Sequence, residues 1–143
     1  EKGYRHWGHD IGEEDNPYQA GLGFAVKLDK PGGFIGRDAL LRAREERTPK
    51  RRLVQFRLHD DSGLLYHEEP VWIGDRIVGS ITSGAYGHRV QASLGMGYIT
   101  HEDGVTADFL ASNQFEIEIA GKRYRADAQL QAWYDPKNER IRA

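Results

Sequence analysis

The side chains best suited to chemistry are concentrated in the first ten residues, EKGYRHWGHD. Glu1, Tyr4 and Trp7 are residue types that line pockets for flat heterocycles, because a carboxylate accepts two N–H hydrogen bonds from an amidine-like edge and aromatic rings stack on planar ligands. The same types are also compatible with Tyr4 and Trp7 in a hydrophobic core and Glu1 in solvent. Residue types alone leave both interpretations open.

Two further groups carry functional side chains. The spacing of His6, His9 and Asp10 permits metal ligation, but loop histidines beside aromatic residues more often pack or donate hydrogen bonds, so we expect no metal site. Tyr86 and His88 lie at a glycine-rich bend, where they either face a ligand or belong to a bend that closes a barrel.

The common catalytic motifs are absent from the sequence. His67-Glu68-Glu69 is followed by Pro70-Val71, so the second histidine of the zinc-protease helix is missing. Gly21-Leu22-Gly23 lacks the third glycine of a dinucleotide fingerprint, and there is no phosphate-binding lysine loop, serine nucleophile elbow or cysteine. We expect no complete catalytic set in this chain.

Size and charge narrow the class of protein. The 143 residues suffice for one ordinary domain. A net charge of -2 and an apolar run no longer than Leu22 to Val26 argue against nucleic-acid and membrane partners. Because the sequence starts at Glu1 in the middle of a cluster of functional residues, we expect a piece of a longer protein.

The stretch from Val71 to Ile99 predicts the centre of an antiparallel β domain. Gly74-Asp75 lies between two apolar runs and predicts a tight hairpin turn. Glycines at 79, 84, 87, 95 and 97 indicate bulges, bends or close backbone approach. Such a sheet should curl, as in a barrel or a strongly twisted sandwich.

The spacing of apolar residues and the types of turn residues predict the remaining strands and one helix. Arg52 to Leu58 predicts a strand whose even-numbered residues face the core, and Phe115 to Ala126 predicts a second hairpin turning at Ala120-Gly121. Before them we expect an extended run and loop at the start, a strand from Gly21 to Leu28, and a helix within Phe34 to Glu46. For this helix, Asp38 or Gly36-Arg37 supplies the predicted start.

Several stretches carry a more specific pattern in a fixed order. They are EKGYRHWGHDI at 1–11, Pro17, GLGFAVKLDK at 21–30, FIGRDAL at 34–40, GSITSGAYG at 79–87, GMGYI at 95–99 and Tyr134-Asp135-Pro136. The series resembles the glycine cleavage T-protein (aminomethyltransferase) family. More narrowly, it resembles the folate-binding portion of dimethylglycine and sarcosine dehydrogenases or oxidases, and the resemblance covers nearly the whole chain.

The resemblance implies a mainly β fold with one or two helices. Residues 1–49 would be the C-terminal end of the folate-binding domain, and residues 50–143 the aminomethyltransferase-type C-terminal β barrel. Glu1 matches the pterin-binding glutamate of the family, while the catalytic aspartate belongs to a domain upstream of this chain. The further folate-binding candidates are Tyr4, Trp7, Lys30, Tyr86 and His88.

The implied reaction of the full-length protein is transfer of a one-carbon unit to tetrahydrofolate, from dimethylglycine, sarcosine or an aminomethyl donor. In the dehydrogenase branch, FAD in a separate domain oxidises the methylated amine. The expected partners are the missing N-terminal domains, and the expected location is the cytoplasm, or the mitochondrial matrix in a eukaryote. We expect this fragment alone to be inactive. The alternative is a non-catalytic β-barrel packing module, because fold does not fix function.

Overall fold

A six-stranded, closed antiparallel barrel forms the centre of the computed structural model, which describes residues 1–46, 48–60 and 62–142. Its strands are β1 (Arg51–Leu58), β2 (Pro70–Ile73), β3 (Arg76–Gly87), β4 (Ala92–Thr100), β5 (Phe115–Ile119) and β6 (Lys122–Gln129). Around the barrel the order is β1, β4, β3, β2, β5, β6. Two α-helices, α1 (Arg37–Glu45) and α2 (Ala107–Ser112), accompany it. The predicted mainly β fold is therefore confirmed.

The even-numbered residues of β1 face the barrel core, as their alternation in the sequence predicts. Val54, Phe56 and Leu58 are at most 3% exposed and lie in the main hydrophobic cluster. The ring of Phe56 meets Phe115 edge to face at 6.0 Å, an arrangement that aromatic quadrupoles favour. Other buried members of the cluster are Leu65, Val71, Ile81, Ile99, Val105, Leu110, Phe115, Ile117 and Ala126. Together these side chains fill the barrel interior.

Glycines let the backbones of β3 and β4 approach each other closely. A Cβ at Gly79 would collide with the carbonyl oxygen of Tyr98, and one at Gly97 would collide with that of Ser80. The pairing register of β3 with β4 shifts between Ile81 and Ser83, which marks a bulge. The predicted bulges and close backbone approaches are thus confirmed.

Both predicted hairpins form. Strands β2 and β3 pair antiparallel across the turn at Gly74, whose φ of 58° lies in the left-handed region. Strands β5 and β6 pair from Phe115↔Ala126 to Ile119↔Lys122, with Ala120 and Gly121 at φ 49° and 79°. Two successive residues at positive φ match the right-handed twist of the flanking strands.

The predicted strand from Gly21 to Leu28 is wrong. This segment contains a short 3₁₀ helix, Gly23–Ala25, and its amide groups bond locally: Leu22 N–H donates to the Pro17 carbonyl at 2.7 Å. Gly21 has a φ of 67°, which turns the backbone out of the extended region. A loose alternation of apolar residues could not reveal these local turns.

The helices agree with the predicted one or two, and α1 lies within the predicted range, Phe34 to Glu46, with its start at Gly36-Arg37. Helix α1 begins at Arg37 after Gly36, whose φ is 88°, and no side chain caps its first turn. Helix α2, whose position was not predicted, begins after Thr106, whose hydroxyl oxygen accepts a hydrogen bond from Phe109 N–H at 2.9 Å. Within the described part of the chain, no helix has the length and apolar character needed to cross a membrane.

Replacing Gly79 by alanine tests the close approach of β3 and β4. We expect Gly79→Ala to lower the free energy of unfolding by about 3 kcal/mol or more, because the new Cβ has only backbone to displace. Gly12→Ala is the matched control, since its Cβ would make only ordinary contacts at 3.9 Å. Urea unfolding monitored by circular dichroism measures both, and equal midpoints for the two variants would contradict the packing described.

Candidate functional site

The first twenty residues cover the outer face of β1. Leu53 and Gln55 alternate with the core-facing residues, yet they are only 3% and 5% exposed. Strand β6 pairs with β1 only from Gln55 to Leu58, and beyond that point Leu53 N–H donates to the Gln19 carbonyl at 2.8 Å. Strand β1 is therefore buried on both faces, which a strand at a solvated barrel surface would not be.

Asp10 fastens this N-terminal segment to β3. Its carboxylate is 1% exposed, and its Oδ1 accepts hydrogen bonds from the hydroxyls of Thr82 at 2.7 Å and Ser83 at 2.6 Å. Its Oδ2 accepts from His6 N–H at 2.8 Å. Since Thr82 and Ser83 lie at the bulge of β3, the bulge supplies the hydroxyl pair that satisfies a buried carboxylate.

The two ends of the described chain also meet. Lys2 Nζ donates to the carbonyl oxygen and the carboxylate of Asp135, both at 2.8 Å, and to Asn138 Oδ1 at 2.7 Å. Tyr134 N–H donates to the Glu1 carbonyl at 3.1 Å. The hydrogen bond from Lys2 is the main reason that the pKa of Asp135 lies below its usual range.

A third contact joins the segment to β1 and β4. Asp15 forms an ion pair with Arg51, whose guanidinium carbon lies 3.7 Å from the centre of the Tyr98 ring. Burial, together with the nearby charge of Asp15, raises the pKa of Tyr98 to about 12. This phenol therefore stays neutral throughout the physiological range.

A cavity of about 500 Å³ lies between the N-terminal segment, the barrel wall and the C-terminal segment. Its volume falls within the roughly 300–1,000 Å³ typical of small-molecule sites. Apolar atoms come from three different segments, namely the N-terminal segment with Tyr4, β4 with Leu94 and Met96, and the C-terminal segment with Trp133. Polar groups come from Glu1, Asp10, Gln55 and Ser83. The lining thus combines flat apolar surface with a few hydrogen-bonding groups.

Glu1 lies at this cavity, and one of its two carboxylate oxygens is hydrogen-bonded to the protein. Its Oε1 accepts hydrogen bonds from the backbone amides of Arg89 at 2.5 Å and Val90 at 3.1 Å, in the loop between β3 and β4. Its Oε2 has no hydrogen-bond partner among the described residues. Partial desolvation acts to raise the pKa of Glu1, but the two amide hydrogen bonds, together with nearby positive charge, outweigh it and lower the pKa. Glu1 is therefore a carboxylate at neutral pH.

The other predicted folate-binding residues lie at different distances from this cavity. Tyr4 lines it. Tyr86, near the end of β3, and His88, in the loop that holds Glu1, lie outside the lining, with their rings 5.3 Å apart edge to face. Trp7, which is 67% exposed, and Lys30, in an exposed turn, lie outside the lining. The structure thus brings Glu1 and Tyr4 together and leaves Trp7 and Lys30 apart from them.

The histidines considered as metal ligands pack against each other. The rings of His6 and His9 are stacked with their centres 4.7 Å apart, and the Asp10 carboxylate is occupied by hydrogen bonds. Across residues 1–46, 48–60 and 62–142, no three histidine, aspartate or glutamate side chains converge in a group that could hold a metal ion.

Sequence reasoning missed Gln55, Ser83 and Trp133 as cavity residues. They belong to β1, β3 and the C-terminal segment, so only the folded chain brings them to one place. The one available signal was the polar residue Gln55 inside an otherwise apolar stretch of β1, LVQF.

Comparisons with known proteins agree with this architecture. A family model described as the glycine cleavage T-protein C-terminal barrel domain matches residues 51–135. The formaldehyde-forming 4-methylaminobutanoate oxidase of Paenarthrobacter nicotinovorans is 41% identical over 142 residues, covering 99% of this chain and 16% of that protein. Mitochondrial sarcosine dehydrogenase of Homo sapiens is 36% identical over 144 residues, with the same two coverages. The chain spans about a sixth of the length of these curated relatives.

A solved structure shares the fold. Glycine cleavage system aminomethyltransferase T from Bartonella henselae matches with a TM-score of 0.74 and 22% sequence identity, over 90% of this chain and 35% of that one. At this identity the likeness shows the fold alone.

Asparagine at position 10 tests the contact between the N-terminal segment and β3. We expect Asp10→Asn to lower the free energy of unfolding by about 2 kcal/mol, because one amide oxygen cannot replace a carboxylate that accepts three hydrogen bonds. Amide hydrogen exchange of residues 6–11 should accelerate in parallel. Asp29→Asn, at an exposed position, is the control, and unchanged exchange in Asp10→Asn would contradict the assigned contact.

The Lys2–Asp135 pair predicts a pH dependence. The folded-state pKa of Asp135 is lowered, so its stabilising effect is present above the unfolded value of about 3.9 and is lost as pH falls through the folded value. We expect Asp135→Asn to be less stable than wild type at pH 7 and the difference to shrink below pH 4. Urea unfolding at several pH values measures it, and a difference that is constant with pH would argue against the pair.

Proposed function

Because this chain belongs to the glycine cleavage T-protein C-terminal barrel family, we propose that it is the C-terminal part of a longer enzyme that transfers a one-carbon unit to tetrahydrofolate. The names of two relatives, an oxidase of 4-methylaminobutanoate that forms formaldehyde and a sarcosine dehydrogenase, support an N-methylated amine as the donor. Dimethylglycine, sarcosine and similar methylated amino acids are the substrate class that we propose.

The observation that carries this proposal is the Glu1 carboxylate at the cavity. Two backbone amides hold Oε1, while Oε2 stays available to accept a hydrogen bond from a ligand N–H. A pterin ring is flat and carries amino and ring N–H groups along one edge, so it fits a carboxylate beside the aromatic ring of Tyr4. The residues present therefore suit the group.

Each candidate side chain has a task in this proposal. Glu1 binds and orients the pterin, and its lowered pKa keeps it an acceptor at neutral pH. Tyr4 packs on the ring face. Tyr86, near the end of β3, and His88, in the loop that holds Glu1, form the rim of the site. Trp7 and Lys30 lie outside the cavity lining and would contact only parts of the ligand that extend beyond it.

The remaining chemistry would come from outside these 143 residues. Tetrahydrofolate supplies the nitrogen that accepts the one-carbon unit, and the residue that deprotonates this nitrogen is the family aspartate of an upstream domain. FAD, in a separate domain of the longer protein, would serve the oxidation of the methylated amine. We propose the cytoplasm as the location, or the mitochondrial matrix in a eukaryote, as the name of the human relative suggests.

Glutamine at position 1 tests this role in the full-length protein. We expect Glu1→Gln to weaken tetrahydrofolate binding about tenfold or more, because a charge-assisted acceptor becomes neutral while the amide oxygen still accepts from Arg89 and Val90. Calorimetry with tetrahydrofolate and the rate of 5,10-methylenetetrahydrofolate formation are the two measurements.

The control is Glu13→Gln, at an exposed position of the same segment. Equal affinity and rate in wild type and Glu1→Gln would contradict the proposal. That result would favour the alternative, in which Glu1 only joins the N-terminal segment to the loop between β3 and β4, and the barrel acts as a packing module.

A further inference from the structure

Gln55 is a buried polar residue in the wall of the cavity. It lies in the middle of β1 on the face away from the barrel core, and only 5% of it is exposed. Its side-chain amide lines the cavity and makes no hydrogen bond to any described residue. Among the residues at least nine-tenths buried, Asp10 also lines this cavity with a polar side chain, but its carboxylate is fully bonded.

The Gln55 carboxamide has no protein partner among the described residues, but it is open to the cavity. Unlike the indole nitrogen of Trp133, the amide nitrogen and oxygen of Gln55 are not fully buried, so they reach the open space of the cavity, where water or a ligand can bond to them. The neighbouring wall residues Leu94 and Met96 offer no such group. Leucine in place of Gln55 would bury the same surface without an unpaired group. The carboxamide therefore points to a partner that binds in the cavity.

The backbone opposite Gln55 leaves room for this amide. Gly3 has a φ of 66°, and a Cβ built there would lie 3.4 Å from both Nε2 and Oε1 of Gln55 and 3.3 Å from the Cβ of Ala132. A larger residue at position 3 would press on the carboxamide and on the C-terminal segment. The N-terminal segment thus passes beside the amide without bonding to it.

We propose that Gln55 is a specificity-determining residue that binds the cyclic-amide edge of the ligand. A carboxamide offers a donor, Nε2–H, beside an acceptor, Oε1, and it matches a ring that presents a carbonyl oxygen next to an N–H. Such an edge is present in the pterin of tetrahydrofolate, so this inference rests on the proposed function. It adds that the barrel wall itself, and not only the N-terminal segment, recognises the ligand.

Two substitutions separate recognition from folding. Gln55→Leu removes both hydrogen bonds, and we expect it to weaken tetrahydrofolate binding about tenfold while leaving the urea midpoint equal to or above that of wild type. The carboxylate introduced by Gln55→Glu can accept hydrogen bonds but cannot donate them. We expect this substitution to weaken binding of both tetrahydrofolate and its 4-amino analogue, in which an amino group replaces the ring carbonyl, because each edge presents one acceptor atom to the carboxylate.

The measurements use the full-length protein that carries this chain. Dissociation constants come from quenching of tryptophan fluorescence, since Trp133 lies in the cavity wall. The probes are tetrahydrofolate, its 4-amino analogue, and uracil as a small cyclic amide without a pterin. Gln114→Glu adds the same charge at an exposed position and is the control.

The outcomes distinguish this inference from the proposed function. If wild type, Gln55→Leu and Gln55→Glu bind tetrahydrofolate equally, or if Gln55→Leu is clearly less stable than wild type, the role of Gln55 is overturned and the folate site stands. If wild type binds uracil but not tetrahydrofolate, and Gln55→Leu loses uracil, the folate proposal fails and the role of Gln55 stands. Binding of none of the probes overturns both.

Discussion

The buried carboxylate of Asp10 is the contact on which the rest of the site depends. It accepts hydrogen bonds from two hydroxyls at the bulge of β3 and from the backbone of its own segment, so it fixes the path of residues 1–10 over the barrel. A carboxylate that is 1% exposed is tolerated only with such complete hydrogen bonding. The position of Glu1 follows from this path. The start of the N-terminal segment is held by the Lys2–Asp135 pair and by the backbone amides of the loop between β3 and β4.

This arrangement explains why β1 is buried on both faces. The side chains on one face of β1 fill the barrel, and those on the other face are covered by the N-terminal segment. The cavity lies where this segment and the barrel wall are not in contact. The bulge in β3 serves twice, because it curls the sheet and presents Thr82 and Ser83 to Asp10. Folding of the barrel and formation of the cavity are therefore physically coupled.

Elements with local signals could be predicted from the sequence. The core face of β1 followed from alternation, and both hairpins followed from turn residues that tolerate positive φ. The predicted strand from Gly21 to Leu28 is wrong because the local hydrogen bonds of this segment leave no periodic signal in the sequence. Helix α2, with six residues, is too short to show a helical period. The division into residues 1–49 and 50–143 and the folate-binding roles of the six candidate residues stay predictions.

The site was only partly accessible to the same reasoning. Glu1 and Tyr4 are close in sequence and share the cavity, whereas Gln55 and Trp133 reach it through barrel closure and the return of the C-terminal segment. No spacing rule connects residues so far apart along the chain.

Hydrogen exchange measured by mass spectrometry on the full-length protein, with and without tetrahydrofolate, tests most directly whether this cavity is the ligand site. We expect the ligand to slow exchange in residues 1–6, in the loop from 88 to 91 and in the cavity-lining parts of β3 and β4. Slower exchange only in upstream domains, with these segments unchanged, would contradict a ligand site in this cavity.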